Sequence, residues 1–163
     1  MLNHQKTTLM WITLAIASLF SSANAHQHKT ATQDIDIADA WVRSAPANAP
    51  ALGAFMTIHN HTDQAVKLIA ASADSGYDHL ELHRTQQVDG MMKMVEQAFM
   101  PIPAQGVLVL KPGSWHVMLI QPTRVPKAGE VVRLYLDFDN GSRKTVMAKV
   151  KKGKMMMHHK SMH

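Results

Sequence analysis

The feature that most limits what this chain can fold into is its rhythm. Short runs of alternating apolar and polar residues, each closed by a turn signal, recur from Ile35 to Val150. No window carries a sustained 3.6-residue apolar period, so helices are not expected in quantity. The alternation predicts strands over Ile35–Val42, Ala54–Asn60, Ala65–Ala71, Asp78–Gln87, Met91–Glu96, Gly106–Leu110, Trp115–Ile120, Val131–Phe138 and Thr145–Val150. The punctuation between them includes Ala45-Pro46, Asn60-His61-Thr62-Asp63, Asp74-Ser75-Gly76 and Lys111-Pro112-Gly113. Asp89-Gly90 and Asn140-Gly141 supply the residues that short hairpin turns require. Strands at this spacing predict an all-β antiparallel sandwich or Greek-key barrel over residues 35–150.

The two ends have a different character. Lys6 precedes an apolar run from Leu9 to Phe20, and Ala23-Asn24-Ala25 forms a small-x-small cleavage site, so residues 1–25 read as a secretory signal cleaved after Ala25. The apolar run, about 12 residues, is short of the roughly 20 that span a bilayer. The mature chain is therefore expected to be soluble and exported, most simply to a bacterial periplasm, with no stable membrane insertion. Residues 26–34 read as a flexible leader and residues 151–163 as a flexible tail. The net charge of +5 resides mainly in that tail: residues 149–163 hold five lysines and no acid, and residues 26–148 sum to −1. With aromatics at 6% and no Arg/Lys stripe, nucleic-acid binding has little basis.

The chain contains no cysteine. That excludes iron–sulfur clusters, thiolate zinc sites, a blue-copper centre and thiol redox chemistry. It also excludes a lipid-anchored bacterial lipoprotein, which needs a cysteine at the mature N-terminus. Against this absence stand 13 methionines and 11 histidines. In Trp115-His116-Val117-Met118-Leu119, strand alternation turns Trp115, Val117 and Leu119 toward the core and leaves His116 and Met118 together on the other face. The Asp89-Gly90 hairpin brings the strand of His83 beside the strand of Met94. Two imidazoles and two thioethers form a soft, neutral set suited to Cu(I) and unlike the usual ligands of zinc. Alternation alone leaves a second reading open, in which Met94 and Met118 fill the core and His83 and His116 are surface residues. No spacing indicates a nucleophile–base pair or a phosphate loop, so no catalytic residue is assigned and an enzyme is not expected.

The four residues stand in the pattern His-x10-Met-x21-His-x-Met, flanked by Leu80-Glu81-Leu82-His83, Gly90-Met91-Met92-Lys93-Met94 and Pro112-Gly113. This pattern closely resembles that of the periplasmic copper chaperones of the PCuAC type, over roughly Asp36 to Val150. The resemblance implies a cupredoxin-like β-barrel that binds Cu(I) through His83, Met94, His116 and Met118. It also implies delivery to the CuA centre of cytochrome c oxidase, or to another copper-accepting periplasmic protein. Periplasmic copper buffering without a dedicated acceptor is the alternative. Ser114-Trp115 departs from the pattern, where a second glycine is common, and Trp115 either shields the site or packs inward.

Further metal-binding candidates lie outside that set. Met155, Met156, Met157, His158, His159, Met162 and His163 in the tail form a candidate second copper site, with histidines for Cu(II) and methionines for Cu(I). Cleavage after Ala25 would expose His26-Gln27-His28, whose free amine, amides and His28 imidazole can chelate Cu(II). His59 and His61 flank a turn, and Met92 shares a face with Met94 as a possible substitute ligand. Met91, Met100 and Met147 read as packing residues, and His79 has no evident partner.

Overall fold

The computed structural model describes residues 34–153. The segment expected to be a signal (1–25), all but the last residue of the expected leader (26–34) and residues 154–163 of the expected tail lie outside the described residues. Ten strands follow in order: β1 (Ile35–Arg43), β2 (Ala51–Asn60), β3 (Val66–Ala73), β4 (Leu80–Val88), β5 (Met91–Glu96), β6 (Met100–Ile102), β7 (Val107–Leu110), β8 (Trp115–Ile120), β9 (Val131–Phe138) and β10 (Arg143–Lys151). No helix occurs among the described residues.

The strands hydrogen-bond in the order β5-β4-β8-β2-β1-β10-β9-β3-β6, with β7 also pairing β2. The β1–β10 pair is parallel and the other ladders are antiparallel. The sheet curls so that β3 lies against β4 and β6 against β7. Inside it Phe138, Ile58, Leu68, Leu119, Leu134 and Leu136 are almost wholly excluded from water. Each such side chain contributes about 1.5–3 kcal/mol of burial free energy. The alternation in β9 and β10 is the expected one: Val132, Leu134, Leu136, Val146, Ala148 and Val150 point inward and their neighbours outward.

Two local devices set up the outer face. At Asp39, with φ of 53°, β1 carries a bulge between Ala38 and Trp41 that places Trp41 opposite Phe55. Their rings pack at 4.6 Å, which explains why Phe55 is buried although it faces away from the core. The β4–β5 hairpin turns at Asp89-Gly90, both with positive φ as a type I′ turn demands. The second expected hairpin, at Asn140-Gly141, is looser: only Gly141 has positive φ, and Phe138 bonds Ser142 across the loop.

Strand β6 was not expected, and two packing expectations fail. Met100 is fully buried, but Met91 and Met147 are more than half exposed. Met91 lies at the hairpin end of an edge strand, and Met147 takes an outward position of β10.

Candidate metal centre

A detour in the chain builds the site. Met56 of β2 pairs with Leu110 of β7, and Ala54 pairs with Val117 of β8. Between those partners the chain leaves β2 through Lys111-Pro112-Gly113-Ser114. Gly113 has φ of 78°, and Ser114 N–H donates to the Lys111 carbonyl, a proline–glycine turn of type II form. The turn rims a notch over Phe55, and His116 lies in it. Gly53 completes the floor: a Cβ there would stand 2.9 Å from the Phe55 ring.

The resulting cleft, of about 160 Å³, is lined by His116, Met118, Met94, Thr85, Phe55 and Gly53. Pro112, Gly113 and Arg43 form its rim. His83 is not a lining residue but stands directly opposite His116 in the β4–β8 ladder, the ring centroids 5.7 Å apart. Met118 pairs with Gly53 on one side and Glu81 on the other. Met94 lies opposite Thr85 on the edge strand, one diagonal step from His83, and is 63% exposed. The four sequence-predicted residues therefore converge on one outward face, with the histidines beneath and Met94 at the lip.

Three buried side-chain polar atoms lack a protein partner among the described residues: His83 Nδ1, His116 Nε2 and Thr85 Oγ1. Burying such groups unpaired is costly, so their clustering is the most unusual chemical feature of the described domain. Each imidazole is held from behind. His116 Nδ1–H donates to the Ser114 carbonyl at 2.9 Å, which leaves Nε2 with a bare lone pair. Burial holds the His116 imidazole below its ordinary value; the Ser114 carbonyl opposes this shift, and His83 adds to it. A ring kept neutral retains its donor pair.

His83 Nε2 lies 2.7 Å from Glu81 Oε2. Glu81 Oε1 meets His79 Nε2 at 2.8 Å, and His79 Nδ1 meets Asp78 Oδ2 at 2.9 Å. The hydrogen bonds from His79 and then His83 hold the Glu81 carboxyl below the usual range. Those from Glu81 and then Asp78 raise His79. Sequence reading gave His79 no partner, named Glu81 and Ser114 only as flanks of the pattern, and passed over Thr85. Only the i, i+2 spacing of His79, Glu81 and His83 hinted at the chain of contacts.

Trp115 packs against the core and is covered on its other side by the Arg84 guanidinium at 4.9 Å, so it does not screen the cleft. His59 and His61 stack at 6.0 Å, six residues or more along from Gly53. At strand rise that is about 20 Å from the cleft. Met92 shares the face of Met94 but pairs with Gln87, a further step from His83. The tail candidates and His26 and His28 lie outside the described residues.

The fold is the cupredoxin-like β fold of PCuAC domains. It superposes on the structure titled as the copper-bound PCuAC domain of PmoF2 with a TM-score of 0.63 at 18% identity, covering 74% of this chain and 94% of that one. The Cu(I)-bound solution structure of DR1885 from Deinococcus radiodurans matches with a TM-score of 0.60 at 32% identity, over 80% of this chain and 87% of that one. In sequence, residues 35–150 match the LpqE-like family, which carries a lipoprotein name, and the chain belongs to that family. A relative from Leifsonia xyli subsp. xyli, Lxx21020, also named as a lipoprotein, is 30% identical over 118 residues, 72% of this chain and 69% of the relative. RP573 of Rickettsia prowazekii is 30% identical over 97 residues, and the chain spans about half of its length.

Proposed function

We propose that this protein is a Cu(I) carrier whose ion is held by His83, His116, Met94 and Met118. The observation that carries this reading is the pair of buried, partnerless imidazole nitrogens, His83 Nδ1 and His116 Nε2, beneath two thioethers on one face. A neutral set of two nitrogens and two sulfurs stabilises a soft monovalent ion better than a hard divalent one. The Cu(I) of the DR1885 structure, which is 32% identical to this chain, supports copper as the ion.

Exposure of Met94 on an edge strand gives an acceptor a way in. Each thioether is a weak donor, so an incoming thiolate or imidazole displaces one ligand and the others follow. The reading is thus delivery rather than catalysis, to the CuA centre of cytochrome c oxidase or another copper-accepting protein of the periplasm. The lipoprotein name of the family fits export, and the signal over residues 1–25 supplies the route.

The tail from Lys154 to His163 is proposed as a second copper-collecting segment. Gly153, the residue before it, packs so closely on Arg43 that a Cβ would stand 2.8 Å from Nε, and Arg43 rims the cleft. A tail starting there delivers its ion over a short tether, which raises the effective concentration at the folded site. His26 and His28 remain the proposed Cu(II) chelate of the cleaved N-terminus.

A Cu(I) competition titration against a chromogenic chelator tests this. It uses the chain 26–163, the same chain ended after Gly153, and His116→Ala. One tight Cu(I) retained on tail removal and lost in His116→Ala is the expected result. Loss of all tight binding with the tail would return the four residues to structural roles. Transfer of the ion to an apo CuA domain separates delivery from buffering.

A further inference from the structure

His116 in the cleft and His83 opposite it are oriented in different ways. The partner of His116 is a backbone carbonyl two residues away, which its own strand supplies. The partner of His83 is a side chain, Glu81, held in turn by His79 and Asp78. An ionised carboxylate accepts and cannot donate, so the hydrogen between His83 and Glu81 belongs to His83 Nε2. Nδ1 is then the unprotonated nitrogen, and it is the buried atom with no partner. His79 places both ring nitrogens against carboxylate oxygens, an arrangement that favours its protonated form.

We propose that Glu81 is a positioning residue for copper capture, which locks His83 in the Nε2–H tautomer so that Nδ1 faces the ion, with His79 anchoring the Glu81 carboxylate. The inference rests on the Cu(I) reading above and deepens it. Three features of the geometry carry it. Glu81 and His83 are two apart on β4, so both side chains stand on the same face, where Met118 pairs with Glu81 and His116 with His83. Both carboxylate oxygens of Glu81 are engaged, each by one imidazole, which fixes the plane of the group and therefore the ring behind it. Glu81 is also the only carboxylate that contacts His83 or His116 among the described residues, and it supplies the anionic charge that a site of four neutral ligands lacks.

The consequence is chemical as well as geometric. A carboxylate hydrogen-bonded to the far nitrogen of a metal-bound imidazole raises the donor strength of the near one. Two thioethers need that help, because they hold the ion weakly. Without Glu81, His83 is free to place its hydrogen on Nδ1, and the lone pair then points away from the cleft.

The test reads the tautomer first and the metal second. Long-range 1H–15N correlation spectra of the apo chain 26–163 identify which nitrogen of His83 carries the hydrogen. Cu(I) loading is then followed at the His83 and His116 ring signals, which binding elsewhere in the chain does not report. Wild type is expected in the Nε2–H form. Glu81→Leu should give mixed tautomers and bind Cu(I) about 10–100-fold more weakly, the usual cost of losing such a partner. Glu81→Gln, whose carbonyl still accepts the hydrogen, should keep the tautomer and recover most of the affinity. His79→Gln should fall between them, and it carries the test if Glu81→Leu fails to fold. A wild-type His83 protonated on Nδ1 overturns the proposal, as does a folded Glu81→Leu with unchanged tautomer and affinity. A wild-type chain whose His83 signals ignore Cu(I) overturns the copper reading instead, and the apo spectra keep the two failures apart.

Discussion

His83 and His116 face each other across the β4–β8 ladder, ring centroids 5.7 Å apart, and each leaves a different nitrogen unpaired. A backbone carbonyl fixes one ring and a carboxylate the other. The protein alone thus holds both rings in place, and the cost of burying two bare nitrogens is borne by the rest of the fold.

That cost has a pH signature. Burial lowers the His116 value below its ordinary 6.5, so below that pH the unfolded chain binds a proton that the folded chain refuses. The folded apo protein should lose stability as pH falls through this window, until His116 itself protonates. His79 works in the opposite sense: its value is raised, so its contribution is complete below 6.5 and fades as pH rises through the folded value. Denaturant titrations at about pH 7.5 and 5 should show a smaller acid loss for His116→Gln than for wild type. An equal loss in both would remove the His116 account.

Met94 offers a cleaner separation of binding from folding. Its side chain is 63% exposed on an edge strand, so Met94→Leu should move stability by no more than roughly 0.5 kcal/mol. Losing one of four donors should nevertheless weaken Cu(I) binding by at least about tenfold, the lower end of what even an indirect partner of a ligand is worth. Unchanged binding in the competition assay would make the site a three-ligand one.

Most of the fold was legible because a strand buried on one face writes its alternation into the sequence. β8 is the best case: His116 and Met118 follow from Val117 and Leu119 by parity alone. β6 escaped because it is three residues long and contains Pro101. Proline speaks against a strand unless it lies on an edge, and β6 is the edge partner of β3, with Pro101 exposed opposite Lys67. The roles of Glu81, Ser114 and Thr85 escaped for another reason. They depend on cross-strand register and on a turn that lifts the chain off β2, and neither is visible in local spacing. His79 was visible as a residue but not as half of a carboxylate contact. The outward placement of Met91 and Met147 was missed because methionine is compatible with both faces.

The floor of the cleft makes a prediction that sequence alone does not suggest. A methyl group at position 53 would stand 2.9 Å from the Phe55 ring edge, and that ring packs on Trp41 at 4.6 Å and lies 6.2 Å from His116. The ring can swing, so Gly53→Ala should cost stability only mildly, about 1 kcal/mol, in the range for overpacking. The displaced ring enters the space beside His116 and Met118. Trp41 fluorescence should therefore shift in the apo protein, and Cu(I) affinity should fall while the fold persists. A shifted Trp41 signal with wild-type affinity would mean that Phe55 does not border the ion.

Asn60 should show the reverse pattern, with stability lost and copper binding kept. It is 1% exposed and its amide is fully used. Nδ2 donates to the carbonyls of Gln64 and Pro103 at 2.8 and 2.9 Å, and Oδ1 accepts from Thr62 N–H and Oγ1–H at 3.0 and 2.8 Å. These bonds tie the β2–β3 turn to the link between β6 and β7, the seam where the curled sheet meets itself. Asn60→Leu keeps the branched shape but leaves the two carbonyls without that donor, at a cost of roughly 2–4 kcal/mol. Position 60 lies at the opposite end of β2 from Gly53, so in whatever fraction remains folded the cleft geometry is untouched. Denaturation midpoints should drop sharply while Cu(I) affinity of the folded protein stays within about twofold, as expected for sites too far apart to couple. A parallel loss of affinity would mean that the seam and the cleft open together as one cooperative unit.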